Sequence, residues 1–115
     1  MSSFEGRFRA YNRLKRPEEF KRVFSSKNRS SDNSFMFLAR ENGIQLARLG
    51  LAVPKKHVHK SVDRNRLKRI IRESFRLRLK QLEGKDVVVV VKSRLDINSE
   101  KVESGLVKHW DKICK

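Results

Sequence analysis

The chain has 115 residues, 29 of them Lys or Arg and 13 Asp or Glu, for a formal net charge of +16. That length suits one domain with a modest core and excludes a large enzyme pocket, while the charge calls for nucleic acid or an anionic membrane surface as partner. No apolar run approaches the roughly 18 residues of a spanning helix, the opening MSSFEGRFRAYNR lacks the apolar stretch of a secretory signal, and the single Cys114 excludes an intrachain disulfide, so a cytoplasmic protein is expected.

Residues 1–13 set Arg7, Arg9 and Arg13 among Phe4, Phe8 and Tyr11 without a long period, and read as a mobile basic arm. The arm either has no role of its own or orders on a nucleic acid, with arginines on phosphate and aromatics stacking. Pro17 fits the first turn of a helix, and Glu18 and Glu19 suit its positive end. Phe20, Val23 and Phe24 follow at i, i+3 and i+4, which puts two aromatics on one face. They either pack into the core or stay half exposed as a stacking floor for unpaired bases.

Ser25 to Ser34 is polar and reads as a loop, and Phe35–Ala39 is an apolar run of strand length. Glu41-Asn42-Gly43 is a turn expected to close a hairpin with a partner strand over Leu46–Val53, which Pro54 ends. Lys55 and Lys56 begin a basic loop, and Ser61 or Asp63 can cap a long helix running to Leu82 and stopped by Gly84. Val87–Val91, five valines in a row, favour a strand buried on both faces. After a loop over Ser93–Ile97, Asn98 is placed to cap a last helix with Val102, Leu106, Trp110 and Ile113 on one face, weakened at Gly105 by about 1 kcal/mol against alanine. The order is αβββαβα or αββαβα, an α+β sandwich with helices mostly on one side of the sheet.

The long helix carries the chemistry. Between Lys60 and Lys80 there are nine Lys/Arg and two acids, Asp63 and Glu73. At about 100° per residue, Asn65, Arg69, Arg72 and Arg76 lie within roughly 60° of each other, opposite Leu67 and Ile70. Glu73 can pair with Arg69 or Arg76, but most neighbouring charges repel, so the stripe calls for a run of phosphates. No enzyme constellation accompanies it: there is no nucleophile elbow, no paired carboxylates and no phosphate loop. His57-x-His59 lacks a third and fourth metal ligand. The chain reads as a binder.

Arg64-Asn65-Arg66, within SVDRNRLKRIIRESFR, resembles the signature of the bacterial ribonuclease P protein subunit. Leu14-Lys15-Arg16 with Glu19–Phe24 is similar to that family's first helix, Arg48–Lys56 to its strand and basic turn, and Asp86–Lys92 to its late strand. The resemblance spans roughly residues 13–113 in register. It implies one RNA-binding domain over 14–115, a two-layer sandwich of order αβββαβα like the ribosomal protein S5 domain 2-like fold, and an unusual left-handed βαβ crossover. It also implies a ribonucleoprotein endonuclease that removes the 5′ leader of precursor tRNA, with the catalytic Mg²⁺ held mainly by the RNA subunit. The protein would bind one RNA subunit through Lys60, Arg64, Asn65, Arg66, Lys68, Arg69, Arg72 and Arg76. It would hold the leader in a cleft lined by Phe20, Phe24, Met36, Leu38, Arg48, Lys55 and Lys56, with no catalytic residue, firmly bound metal, DNA or membrane of its own. The rival readings are a ribosomal-type RNA-stabilising protein without a substrate groove, a DNA-binding helix, which would favour duplex DNA and a dimer, and a protein-only nuclease, for which an acidic metal cluster is wanting.

Overall fold

Val87–Val91 has a strand on each side and helices on both faces, as a β-branched run with no polar edge requires. The computed structural model describes residues 10–98 and 100–114. In it the valines belong to β4 (Lys85–Val91), inside a four-stranded sheet with β1 (Asn28–Ser31), β2 (Phe35–Glu41) and β3 (Arg48–Ala52) in the order β1-β2-β4-β3. β4 pairs antiparallel with β2 and parallel with β3, so that Met36, Val90 and Ala52 lie in one row and Leu38, Val88 and Gly50 in the next. Helices α1 (Pro17–Phe24), α2 (Ser61–Arg76) and α3 (Glu100–Ile113) complete the αβββαβα order, behind a 3-10 turn at Ala10–Asn12. This is the small α+β fold expected from the sequence.

Strand alternation splits the core in two. Phe35, Phe37, Leu49, Val87 and Val89 meet Leu67, Ile71 and Phe75 of α2 and Leu106 and Trp110 of α3. Trp110 sets its ring edge-on to Phe37 with centroids 4.7 Å apart and donates Nε1–H to Ser74 Oγ at 2.9 Å, so its one polar atom is satisfied inside the core. On the opposite face Leu38 and Val88 lie under Leu14 and Val23, so that among the described residues α1 and the segment just before it are the cover. Among the described residues that imbalance leaves part of one sheet face open, and it is the feature that positions the site.

Several expectations need correction. β2 and β3 do not form a hairpin, because β4 is inserted between them; the hairpin is β1–β2. Ser25–Ser34 therefore is not all loop: its edge strand shows water the polar residues Asn28, Arg29 and Ser31, which hid it from an apolar-pattern reading. The long helix ends at Arg76 rather than Leu82; Arg78 and Leu79 bond back three residues instead of four, a tighter winding that keeps Leu79 and Leu82 against the core. Gly84, at φ +85°, ends that run of turns. Neither Ser61 nor Asp63 caps α2, whose N-cap is Lys60 without a side-chain bond. Asn98 spends its Oδ1 on Arg66 Nη1 at 2.8 Å, and Ser99 lies outside the described residues. Of the arm expected over residues 1–13, the last two are anchored to the sheet: Asn12 is buried and donates Nδ2 to Ala47 O at 2.7 Å, and Arg13 forms a parallel bridge with Leu49. Residues 1–9, with Phe4, Arg7, Phe8 and Arg9 of the expected arm, lie outside the described residues.

Candidate nucleic-acid interface

Helix α1 runs across the strands. Phe20 lies over Gly50 of β3, Val23 packs with Leu38 and Val88 of β2 and β4, and the carbonyl of Phe24 accepts Arg29 Nη2 of β1 at 2.9 Å. Two flanks follow from helical geometry. With Val23 pointing down, Glu19 and Arg22 fall to one side, where Glu19 meets Arg48 and the Arg22 carbonyl accepts from Arg40. Phe20 and Phe24 fall to the other, beside the half-buried row of Met36, Val90 and Ala52. The result is a shallow trough with an aromatic wall and an apolar floor. Phe20 is half-buried, and Phe24 is 41 % exposed. Past the end of β3, Lys55 and Lys56 are exposed on a turn in which His57 and Val58 both bond back to Pro54 O.

Two residues assigned to this cleft from the sequence sit elsewhere. Leu38 is fully buried in the row beneath α1, so its side chain is foundation rather than lining. Arg48 belongs to the opposite flank: its guanidinium binds Asp86 through Nε (2.7 Å) and Nη2 (2.8 Å), and Glu19 through Nη1 (2.8 Å). Asp86 also accepts Asn42 Nδ2 at 2.9 Å. Glu19 Oε1 accepts the N–H groups of Arg16 and Lys15, and these bonds first, then the Arg48 charge, hold its carboxyl below the usual range. Arg48 is thus the joint that fixes the start of α1 to the sheet. Val90 and Ala52, absent from the sequence assignment, take their place in the floor; only the β2–β4–β3 register reveals them.

The cationic face of α2 stands apart from the trough. Asn65, Arg66 and Arg69 are exposed, and Lys60 precedes the helix, also exposed. Arg64 is turned back, donating Nη1 to the carbonyls of Val58 (3.1 Å) and His59 (2.7 Å), so it braces the loop before the helix. Arg76 pairs with Glu73, which lowers the pKa of Glu73 and raises that of Arg76. Lys68 and Arg72, one turn apart, lean toward β3 and the end of the trough. The stripe read from the sequence is real, but its members have distinct surroundings.

The sequence reading missed His109. It is 4 % exposed on α3, stacks on Phe37 with centroids 4.9 Å apart, and bonds Ser30 Oγ through Nδ1 (2.6 Å) and Asp32 Oδ2 through Nε2 (2.8 Å). A carboxylate only accepts, so Nε2 carries a proton and donates to Asp32, while Nδ1 shares a hydrogen bond with the serine hydroxyl. Ser30 is itself 4 % exposed, which leaves no room for a substrate; the chain of bonds pins α3 to the β1–β2 hairpin. Among the described residues no group of three or more His, Cys, Asp or Glu could hold a metal ion, and His59 Nε2 faces Arg94 Nη2 at 3.0 Å.

Comparison with known proteins points one way. The family model described as Ribonuclease P matches residues 8–114. A ribonuclease P protein component of Methylococcus capsulatus is 48% identical over 99 residues, 85% of this chain and 77% of the relative. That of Aliivibrio fischeri is 43% identical over 104 residues, 90% of this chain and 89% of the relative. Among solved structures, the RNase P protein of Staphylococcus aureus superposes with a TM-score of 0.76 at 26% identity, covering 87% of this chain and 93% of the other. The Thermotoga maritima RNase P protein does so with a TM-score of 0.59 at 29% identity, covering 88% and 87%.

Proposed function

The chain belongs to the ribonuclease P protein family, and we propose that it grips the RNA subunit through the α2 face and holds the single-stranded 5′ leader of precursor tRNA in the trough beside α1. The observation that carries this reading is the pairing of two unlike surfaces on one small fold. One is cationic and built on a helix, with Asn65, Arg66 and Arg69 open to solvent. The other is aromatic and apolar, with Phe20 and Phe24 beside Met36 and Val90. A folded RNA backbone suits the first through phosphate neutralisation, with counterion release and a steep salt dependence. Unpaired bases suit the second, because every base offers a face for stacking.

In this reading the chain breaks no bond. The hydrolysing Mg²⁺ belongs, in this reading, to the RNA subunit. The protein contributes position: it holds the leader so that the scissile phosphate meets the RNA's site, and its charge offsets repulsion between two polyanions. One protein per RNA subunit suffices, working in the cytoplasm.

The test is cleavage of precursor tRNA by a bacterial ribonuclease P RNA at low Mg²⁺, with and without the protein, on substrates with a leader or none. Restored cleavage with tighter binding of leader-bearing substrate alone is the expected result. Arg66→Ala then weakens RNA-subunit binding, whereas Phe20→Ala weakens only leader-dependent substrate binding. RNA binding that changes neither cleavage nor leader discrimination would make this a ribosomal-type stabiliser instead.

A further inference from the structure

A concavity of about 560 Å³ lies between the first half of α3, the turn that joins β1 to β2, and the loop after β4. That volume falls within the range of about 300–1,000 Å³ found for small-ligand sites. Phe35 and Val102, both buried, close its bottom, with the half-buried Leu95 beside them. Its α3 wall is a stripe of Lys101, Ser104, Gly105 and Lys108, at i, i+3, i+4 and i+7. A glycine inside a helix costs stability against alanine. Packing among the described residues does not call for it: a Cβ at Gly105 would meet no atom of the rest of the fold within 4 Å, and its φ is not in the left-handed region. The missing side chain leaves room in the middle of the wall, and that room serves an occupant.

The polar groups around the concavity are mixed in sign, with Arg94, Lys101 and Lys108 against Asp32 and Asp96. Asp32 is committed within the fold. Its Oδ1 accepts the Ser34 and Phe35 N–H groups at 2.7 Å each, and its Oδ2 accepts His109 Nε2. Asp96 is exposed and gives Oδ1 to the Asn98 N–H at 3.0 Å, which leaves Oδ2 to face a ligand. An open carboxylate repels a bare phosphate. It suits the edge of a nucleobase, which presents donors beside acceptors, with the ring against the apolar bottom and the sugar–phosphate near the cations of the rim.

The concavity adjoins the start of α2. Arg94 Nη2 faces His59 Nε2, just before that helix, at 3.0 Å, and Arg66 donates Nη1 to Asn98 at 2.8 Å. An RNA lying on the Arg66 face therefore passes the mouth. We propose that this concavity takes one unpaired nucleobase of the RNA subunit, with Gly105 leaving room for the ring and Asp96 accepting from its amino edge. The inference rests on the RNA-subunit binding proposed above and adds to it a contact that reads a base.

The test uses holoenzyme reconstituted with wild-type protein and with the Gly105→Ala, Gly105→Leu and Asp96→Asn variants. Three quantities are measured: the thermal melt of each protein, its affinity for the RNA subunit, and the reactivity of every subunit base edge toward dimethyl sulfate and a carbodiimide. Wild-type protein should protect one unpaired base that Gly105→Leu leaves reactive, with the other protections unchanged. Gly105→Leu should lower affinity about fivefold or more, the scale of one lost base contact, and Gly105→Ala by less. Both should nevertheless melt at a higher temperature than wild type, because each favours the helix. A merely structural glycine would not lower affinity while raising stability. Asp96→Asn keeps the bond to Asn98 but turns the open position into a donor, and should expose the same base. A Gly105→Leu protein with the wild-type footprint and affinity overturns the pocket, and so does an equal loss of every protection. Wild-type protein that leaves no footprint on the subunit would remove the proposed function itself, a result seen without any variant.

Discussion

Gly50 is where the trough is most sensitive to a single methyl group. A Cβ there would stand 2.5 Å from Phe20 Cε1, 2.7 Å from Cζ and 3.3 Å from Leu14 Cβ. Carbon atoms pack at about 3.5–4.0 Å, so Gly50→Ala must move the ring edge by about 1 Å or more. The ring is half-buried and can swing outward, whereas Leu14 is tied to β3 through its N–H and yields little. Stability should fall by about 1–2 kcal/mol, within the usual range for overpacking. The displaced ring no longer offers its stacking face, and loss of a base–aromatic stack is worth about 1–3 kcal/mol, a roughly 5- to 150-fold loss of leader-dependent affinity. The assay is the affinity ratio for precursor tRNA with and without leader, measured for wild type, Gly50→Ala, Phe20→Ala and the double variant. Phe20→Ala removes the clash along with the platform, so Gly50→Ala should cost no further discrimination in that background. An additive cycle, or a Gly50→Ala protein with wild-type discrimination, refutes the placement of Phe20 as the leader platform.

Three further outcomes follow from other residues. Arg48→Leu leaves the Asp86 carboxylate, 7 % exposed, with Asn42 as its remaining side-chain partner, and should cost about 3 kcal/mol in urea unfolding; a loss below about 1 kcal/mol would mean that Arg48 is no joint. Glu19 and Asp32 have folded pKa values below their ordinary ones; for Asp32, burial works the other way and is outweighed by the Phe35 N–H, His109 and the Ser34 N–H. Their contribution is therefore complete above the unfolded carboxylate pKa of about 4 and is lost as pH falls through the folded values. Asp32→Asn and Glu19→Gln should each flatten the fall in urea midpoint below about pH 4, and an unaltered acid limb in both would contradict the assignment. Arg64→Ala should speed amide exchange at the start of α2, because Val58 and His59 lose their donor, whereas Arg66→Ala should not; equal exchange in the two would remove the distinction between brace and contact.

Much of this was legible in the residues, and what was not has identifiable causes. The two apolar periods of α2 and α3 and the β-branching of Val87–Val91 are local signals, and each landed on the right element. The valine run even carried the clue to the mistaken hairpin, since a strand without a polar face belongs inside a sheet and must separate others. Nothing local in Glu41-Asn42-Gly43 distinguishes a turn that closes a hairpin from one that leads to a far edge. The difference lies in long-range bonds: Asn42 N–H to Gly84 O, Gly84 N–H to Leu46 O and Arg48 to Asp86. At the site, the cationic helix could be read from spacing, and so could the shared face of Phe20 and Phe24. The identity of the trough floor could not, because Val90 and Ala52 enter it through register alone. Leu38 and Arg48 were misplaced for the same reason: alternation assigns a sheet face but not which part of it α1 covers.

The two proposed surfaces share one wall. β3 presents Gly50 to Phe20 on one face and Leu49 to the core beneath α2 on the other, with Arg13 bridged to its outer edge. A strand buried between helices moves as a unit, so the angle between leader trough and RNA-subunit face is set by β3 rather than by a hinge. In the proposed function the protein contributes position, and a rigid shared wall is what position requires. Substitutions on β3 should therefore disturb both kinds of binding together, while substitutions on the outward face of α2 or on Phe24 disturb one. Arg48, clamped between α1 and β4 at the head of that strand, is where the coupling is tightest.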